Sequence, residues 1–234
     1  MRKRKHEVIG KEIGKFACGE FGMDQERASI IKGLVKNYFN DRFKKGDQIK
    51  ILDIGCWNDY IYFKDLPIKY YGLDLVKAVD MPRFVRQDLN KNPKLPFKDN
   101  FFDGIFCFEV LEHLCFPEKI INEIKRVIKP NGLILISLPN DYAIDARFKF
   151  LLGKDVLTQL NIKGEISDYR HRTIFKASTA RRWIEKFFKI DEIFCYGRFS
   201  GGRFLPSKFR NWLAKMFPDI FCRIQIFKIV ADFK

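Results

Sequence analysis

The chain has no Cys-x-x-Cys pair, although it holds six cysteines: Cys18, Cys56, Cys107, Cys115, Cys195 and Cys222. Scattered singly, with three of them in strongly apolar runs, they lay out neither a disulfide framework nor a paired-thiol metal site. They read as reduced core or near-core thiols of a cytosolic protein. Also missing is any uncharged apolar run approaching the roughly 18 to 20 residues that span a bilayer. No transmembrane segment is therefore expected. The basic start, MRKRKHEVIGKEIGKF, is followed by no apolar stretch, so a secretory signal is not expected either. Internal repeats and low-complexity segments are absent. Histidine is scarce: the chain has His6, His113 and His171, and His6 reads as a solvated tail residue.

What remains is ample for a core. With 234 residues, 47% hydrophobic and 31% charged, the composition is globular and fits one large domain or one domain with extensions. The net charge of +15 is unevenly spread. Residues 1–50 carry 13 Lys+Arg against 7 Asp+Glu, residues 51–140 carry 12 against 12, and residues 141–234 carry 19 against 10. All the excess positive charge lies outside the central block. Such a balance suits an anionic partner, whether nucleic acid, a phosphorylated substrate or an acidic membrane face, or else a lysine-rich surface that only keeps the protein soluble.

Periodicity predicts the elements. A helix is expected over 23–43, with Asp24 as N-cap and Ile30, Ile31, Leu34, Val35, Tyr38 and Phe39 at helical spacing. Strands are then expected at 49–55, 68–75, 83–89 and 101–110, with a short helix or turn at 58–66. A helix over 117–129 starts at Pro117, and Pro130-Asn131-Gly132 turns into a strand at 133–140. A helix is expected near 143–152, a helix at 176–189, a strand at 190–197, a basic amphipathic helix within 200–218 and a long last strand at 220–233. Alternating strands and helices indicate an α/β fold. The expected form is Rossmann-like and doubly wound, a mostly parallel seven-stranded sheet with an antiparallel last strand. Residues 1–45 read as a basic tail and cap helix. Residues 46–234 read as the main domain, with insertions at about 141–172 and 199–219.

In a doubly wound sheet, ligands bind at the carboxyl ends of the strands. Acids line up there: Asp53 before Gly55, Asp74 after the second strand, Asp88 after the third, and Glu109, Glu112 and His113 after the fourth. A carboxylate closing a second strand, 21 residues after Asp53, is well placed to accept both hydroxyls of a ribose. The stretches LDIGC, YYGLDL, VRQDL, LPFKDNFFDGIFCFEVLEHL and IKRVIKPNGLILISLPN, covering about 45–140, together resemble the class I S-adenosylmethionine-dependent methyltransferases. That resemblance implies S-adenosylmethionine as cofactor. It implies that Asp53 and Gly55, with Cys56 and Trp57, line its methionine end. It further implies that Asp74 binds the ribose with Leu75 beside it, that Asp88 binds the adenine with Leu89 beside it, and that Phe108 packs against the cofactor.

The family's loop after the first strand is Gly-x-Gly-x-Gly, and here only Gly55 remains; Trp57 and Asp59 stand at the second and third positions. Glycine there permits positive φ and close backbone approach. S-adenosylmethionine has no pyrophosphate, so the requirement is less strict than in dinucleotide binders. Two readings stay open: a working enzyme, or a methyltransferase-like binding or scaffold domain.

Methyl transfer needs orientation more than acid–base chemistry, but an oxygen nucleophile can require a base or a metal. Glu109 and His113 are the candidate catalytic residues. If a helix starts at Glu109, then Glu109, Glu112 and His113 share a face, and with His171 they could hold Mg²⁺ or a similar ion. This set is similar to that of metal-assisted O-methyltransferases acting on ubiquinone precursors or on the terminal ribose of small RNAs. No Asn/Asp-Pro-Pro-Tyr/Phe follows the fourth strand, which argues against methylation of adenine amino groups. No Pro-Cys does either, which argues against cytosine C5; Cys107 reads as core. The expected acceptor is a small molecule or a glycan- or lipid-linked one, with RNA as rival. The 198–217 cluster (Arg198, Arg203, Phe204, Lys208, Phe209, Arg210, Trp212, Lys215, Phe217) suggests peripheral contact with an anionic membrane by a cytoplasmic protein, or an ordinary helix over the sheet edge.

Overall fold

The computed structural model describes residues 23–154, 171–197 and 206–232. His6, Cys18, Arg198, Arg203, Phe204 and much of the two expected insertions lie outside them. Helix α1 (Gln25–Lys44) begins where Asp24, in extended backbone, accepts the Arg27 N–H at 2.9 Å. Its inner face is Ala28, Ile31, Val35 and Phe39, all buried. Burying each of the three large side chains contributes ~1.5 to 3 kcal/mol. Strand β1 (Ile49–Ile54) is buried at all but one position, as a strand covered on both faces must be. Then follow α2 (Tyr60–Phe63), β2 (Ile68–Asp74), β3 (Phe84–Arg86) and β4 (Phe102–Phe108), the last buried throughout. A 3₁₀ turn (Leu111–His113), α3 (Pro117–Val127), β5 (Ile128–Pro139) and α4 (Ile144–Leu151) come next. The chain continues through α5 (Ala177–Glu185), β6 (Glu192–Tyr196), α6 (Ser207–Met216), α7 (Pro218–Phe221) and β7 (Ile224–Val230).

The seven strands order as β3-β2-β1-β4-β5-β7-β6. β1, β2, β3, β4 and β5 pair in parallel, while β7 runs antiparallel to both β5 and β6. This is the expected sheet with its antiparallel last strand. One apolar layer joins α3 and α5 to one face, through Ile120, Ile124, Val127, Ala180 and Ile184. The other joins α1 to the opposite face, through Ile31, Val35, Phe39 and Phe63. The chain leaves β1 toward β2 and β3, then returns to place β4 on β1's other side, so the strand order reverses between β1 and β4. The crevice at that reversal, at the carboxyl ends, is where this architecture puts ligands.

Two expectations are corrected. The helix expected over 117–129 stops at Val127, and β5 starts at Ile128 rather than after the glycine turn. Residues 129–132 are an excursion within the strand: Phe102 pairs with Ile128, but Gly104 already pairs with Leu133. Asn131 takes φ 56° at its tip and is pinned by an N–H bond to the Ala231 carbonyl and by the Tyr38 hydroxyl. The third strand spans three residues, not seven, because Asp88 turns the chain by accepting the Asn90 N–H.

Candidate functional site

At the end of β1, Gly55 takes φ 74°, and a Cβ there would lie 2.2 Å from Val110 Cγ2. No side chain fits at this position. Cys56 turns inward, its sulfur 3.9 Å from that of Met81, fully buried under Gly72. Trp57 then takes φ 30°, a conformation normally left to glycine. Its N–H is held by Asp74 Oδ2 at 2.9 Å, while Asp74 Oδ1 accepts the Val76 N–H at 3.1 Å. Asp74 thus clasps the loop after β1 to the end of β2. Burial raises its carboxyl above the usual range, against the opposing pull of those backbone donors.

Beneath this loop lie acids that water does not reach. Asp53 is fully buried; the Tyr70 hydroxyl donates to Oδ2, and Oδ1 has no hydrogen-bond partner. Asp59 is buried as well, and burial pushes it up to about 7, with Arg27 pulling the other way. Burial, with Asp59 beside it, also holds Asp53 well above its ordinary value. The cation among them is Arg27 of α1. Its guanidinium lies 5.6 Å from the centre of the Phe108 ring, Nη2 reaches Ser137 Oγ at 3.5 Å, and Nε has no partner.

Glu109 takes φ 54° at the end of β4 and so cannot begin a helix. The expected helical face of Glu109, Glu112 and His113 is therefore corrected. Only Leu111–His113 form a turn of 3₁₀ helix, and Glu109 points to β5, where Oε1 accepts the Ser137 hydroxyl at 2.8 Å. Glu109 does not belong to the potential metal cluster. That cluster is Glu112, His113 and His171, whose ligand atoms lie within 4.8 Å of one another. Glu112 is fully buried and neither of its oxygens has a hydrogen bond. Burial, then the neighbouring Glu109, keeps its carboxyl well above the ordinary range. The two imidazole rings meet edge to face at 4.8 Å. Behind His171, Asp141 Oδ1 lies 2.7 Å from Nδ1, and Asp141 Oδ2 accepts the Phe175 N–H. Burial would lower the His171 pKa, but the Asp141 bond and charge outweigh it and the net shift is upward.

The other expected residues are more dispersed. Asp88 caps the turn after β3 and pairs with Lys91 at 3.2 Å; Leu89 is half-buried and Leu75 exposed. Phe108 is buried against Phe106 under Arg27. Cys107 is core, as expected. Arg27, Tyr70, Ser137 and Asp141 are not among the residues expected at the site from the sequence. For Arg27 a signal exists: it stands four residues before Ile31 and eight before Val35 on the apolar stripe, where a cation is out of place. The other three come from strands and loops far apart in sequence, and no spacing rule joins them. A surface hollow of about 450 Å³ lined by Arg181, Glu185 and Ile193 lies at the opposite, amino edge of the sheet, away from all these groups.

This sheet order, with acids and a strained glycine turn at the strand reversal, defines the S-adenosylmethionine-dependent class I methyltransferase fold. The sequence matches the model of the methyltransferase-domain family over residues 23–187, and the chain belongs to that family. It is 28% identical over 212 residues to the ubiquinone biosynthesis O-methyltransferase of Glaesserella parasuis, covering 82% of this chain and 84% of that one. It is 29% identical over 136 residues to the tRNA U34 carboxymethyltransferase of Nautilia profundicola, covering 53% of this chain and 44% of that one. The chain spans about half the length of such tRNA-modifying relatives. The fold matches an S-adenosylmethionine-dependent methyltransferase from Archaeoglobus fulgidus (TM-score 0.55, 16% identity, 85% and 93% covered). It also matches the cyclase SpnF (TM-score 0.53, 16% identity, 92% and 87% covered), so fold alone does not fix the chemistry.

S-adenosylmethionine is the cofactor of this class, and the residues fit it. The orphaned Arg27 Nε and Asp53 Oδ1 are the kind of buried donor and acceptor that a ligand's carboxylate and ammonium would satisfy. Each Asp74 oxygen has a second lone pair for a ribose hydroxyl.

Proposed function

We propose that this protein transfers the methyl group of S-adenosylmethionine to an oxygen of a small-molecule, lipid-linked or glycan-linked acceptor, with a divalent ion such as Mg²⁺ held by Glu112, His113 and His171. The observation that carries this reading is Glu112, a fully buried carboxylate whose two oxygens accept no hydrogen bond, with Oε1 4.0 Å from His113 Nε2 and a second imidazole, His171, beside it. A buried carboxylate takes up a proton or is matched by a cation. One carboxylate and two imidazoles suit a divalent metal that keeps positions open for oxygen ligands. When bound, that ion would hold and acidify an acceptor hydroxyl. When bound, the cofactor supplies a methyl carbon on a sulfonium.

The chain's own groups do the rest. Asp141 fixes the His171 ring, so that Nε2 is the nitrogen left for a ligand. Glu109, steadied at Oε1 by Ser137, has Oε2 left to take the acceptor's proton. Arg27 and Phe108 close the site on the α1 side. The ubiquinone O-methyltransferase relative, matched over most of both chains, supports an oxygen acceptor. A second reading, transfer to tRNA, is supported by the tRNA-modifying relatives and by the excess of basic residues.

The test is to incubate methyl-labelled S-adenosylmethionine with the protein and a cell extract, then fractionate. Label should enter lipid, small-molecule or glycan material, and both a chelator and Glu112→Gln should abolish it. Label in nuclease-sensitive material would move the reading to tRNA. Undiminished transfer under chelation would remove the metal.

A further inference from the structure

Not one of the eight residues of α4 is buried. Its sequence is far from polar: Phe150 is 73% exposed, Leu151 77% and the following Leu152 68%. On α6, Phe209 and Trp212 stack at 5.6 Å and both are exposed, as are Met216 and Phe217, the residue that follows the helix. The two helices stand at the same edge of the sheet, the carboxyl edge that holds the candidate site. Asn140, at the end of β5, donates to the carbonyls of Pro218 and Cys222, and Arg147 of α4 reaches the Asp219 carbonyl of α7, which directly follows α6. Arg223 pairs with Asp145 at 3.1 Å. A soluble surface rarely leaves so many large apolar groups together without a use.

The exposed charged residues of the two helices are all cationic, and Glu26, which borders α6, pairs with Arg210. Lys149, Lys154, Lys208 and Lys215 are exposed. The acids of α4 and α7 are both paired, Asp145 with Arg223 and Asp219 with Lys176. Cations ringing exposed phenylalanine, leucine and tryptophan are the makings of an interfacial surface, and tryptophan in particular favours the headgroup boundary. A nucleic-acid strand would use the stacked rings and the lysines, but it has nothing to offer Leu151 and Leu152, which have no stacking face. A bilayer takes aliphatic and aromatic groups alike.

We infer that α4 and α6 together form a docking surface for an anionic lipid bilayer, which brings the candidate site to the membrane. The inference deepens the proposed acceptor class, since a lipid-linked acceptor would be met there, and in that sense rests on it. The docking itself is measured without acceptor or cofactor, so its failure is separate from failure of the methyl transfer.

The experiment is flotation of the full chain with vesicles of phosphatidylcholine alone, or of an equal mixture of phosphatidylcholine and phosphatidylglycerol. Binding should require the anionic lipid and weaken with salt. Phe150→Asp with Leu151→Asp, both at exposed positions, should weaken it at least about tenfold with the melting temperature unchanged. Lys149, Lys154, Lys208 and Lys215 changed together to Gln should do the same, since each cation near such a surface is worth about a fivefold factor. Trp212 emission should shift to the blue on mixed vesicles, against a Trp212→Phe control. Wild-type indifference to mixed vesicles overturns the inference. So does undiminished binding by the Phe150/Leu151 variant. A dimer in solution that this variant breaks, with no vesicle binding, assigns the patch to a second copy. RNA binding lost in these variants, again with no vesicle binding, assigns it to RNA.

Discussion

Asp59 stands where the family has a glycine, and it is buried with a pKa pushed up to about 7. Its unfolded value is that of an ordinary aspartate, about 4. Between those values the folded protein binds more protons than the unfolded chain, so stability falls as pH rises from about 4 to 7. Asp59→Asn removes that contribution. Melting temperatures from pH 5 to 8 should show a shallower decline in the variant, with some slope left from Asp53 and Glu112, which burial also raises. Identical slopes would refute the shift. Asp74→Ala removes the acceptor for two backbone N–H groups as well as the expected ribose contact. Charge-assisted bonds are worth ~1.5 to 3 kcal/mol each, so S-adenosylmethionine affinity by calorimetry should fall at least about tenfold, with a loss of stability beside it. An unchanged affinity would remove Asp74 from the site. Trp57→Gly is expected to move the other way: it relieves a φ of 30°, a strain of order 1 kcal/mol, and should keep or improve cofactor affinity. If neither wild type nor Trp57→Gly binds the cofactor in calorimetry, the scaffold reading gains. The sequence showed that Trp57 and Asp59 break the glycine pattern. It could not show that Asp74 holds the loop at Trp57, whose φ is 30°, because that bond joins residues 17 apart that meet only across two strands.

Among the elements, the most legible were those whose pattern and burial agree. Helix α1 has an Asp cap and an apolar stripe; β4 is mostly apolar, is buried throughout and lies in the middle of the sheet. The segment after β4 misled at Glu109, because Glu-x-x-Glu-His reads as a helical face and the backbone instead takes one left-handed residue before a short turn. That residue is held by Ser137, which lies 28 positions away. Of the four residues grouped from the sequence, Glu112, His113 and His171 come together in the structure, while Glu109 turns to Ser137. The cap of α1 gives a prediction at this scale. Asp24 accepts the Arg27 N–H and also the Tyr196 hydroxyl at 2.6 Å. Asp24→Ala should cost ~1 to 2 kcal/mol for the cap, read as a lower denaturant midpoint. Because the same first turn carries Arg27 into the site, cofactor affinity should fall as well. A loss of stability with full affinity would show that Arg27 keeps its place without the cap.

Over the whole molecule, charge and sheet order work at different edges. The neutral central block builds nearly all of β1 to β5 and most of the acids of the site, while the basic excess lies in the flanks, part of it on the helices at the carboxyl edge. Sheet order has an outcome of its own. β7 comes after β6 in the chain but lies between β5 and β6, and among the described residues β6 pairs with no other strand. During synthesis, β1 to β5 can assemble with α1 and α3 as they emerge. β6 must then wait unpaired, and β5 must wait with an open edge, until Val230 has cleared the ribosome. An open, apolar β5 edge is a template for pairing with other chains. Nascent chains stalled before Ile224 should accordingly be protease-sensitive at β6 and dependent on chaperones, while chains stalled on a linker appended after Lys234, long enough to bring Val230 out of the ribosome, should be protected.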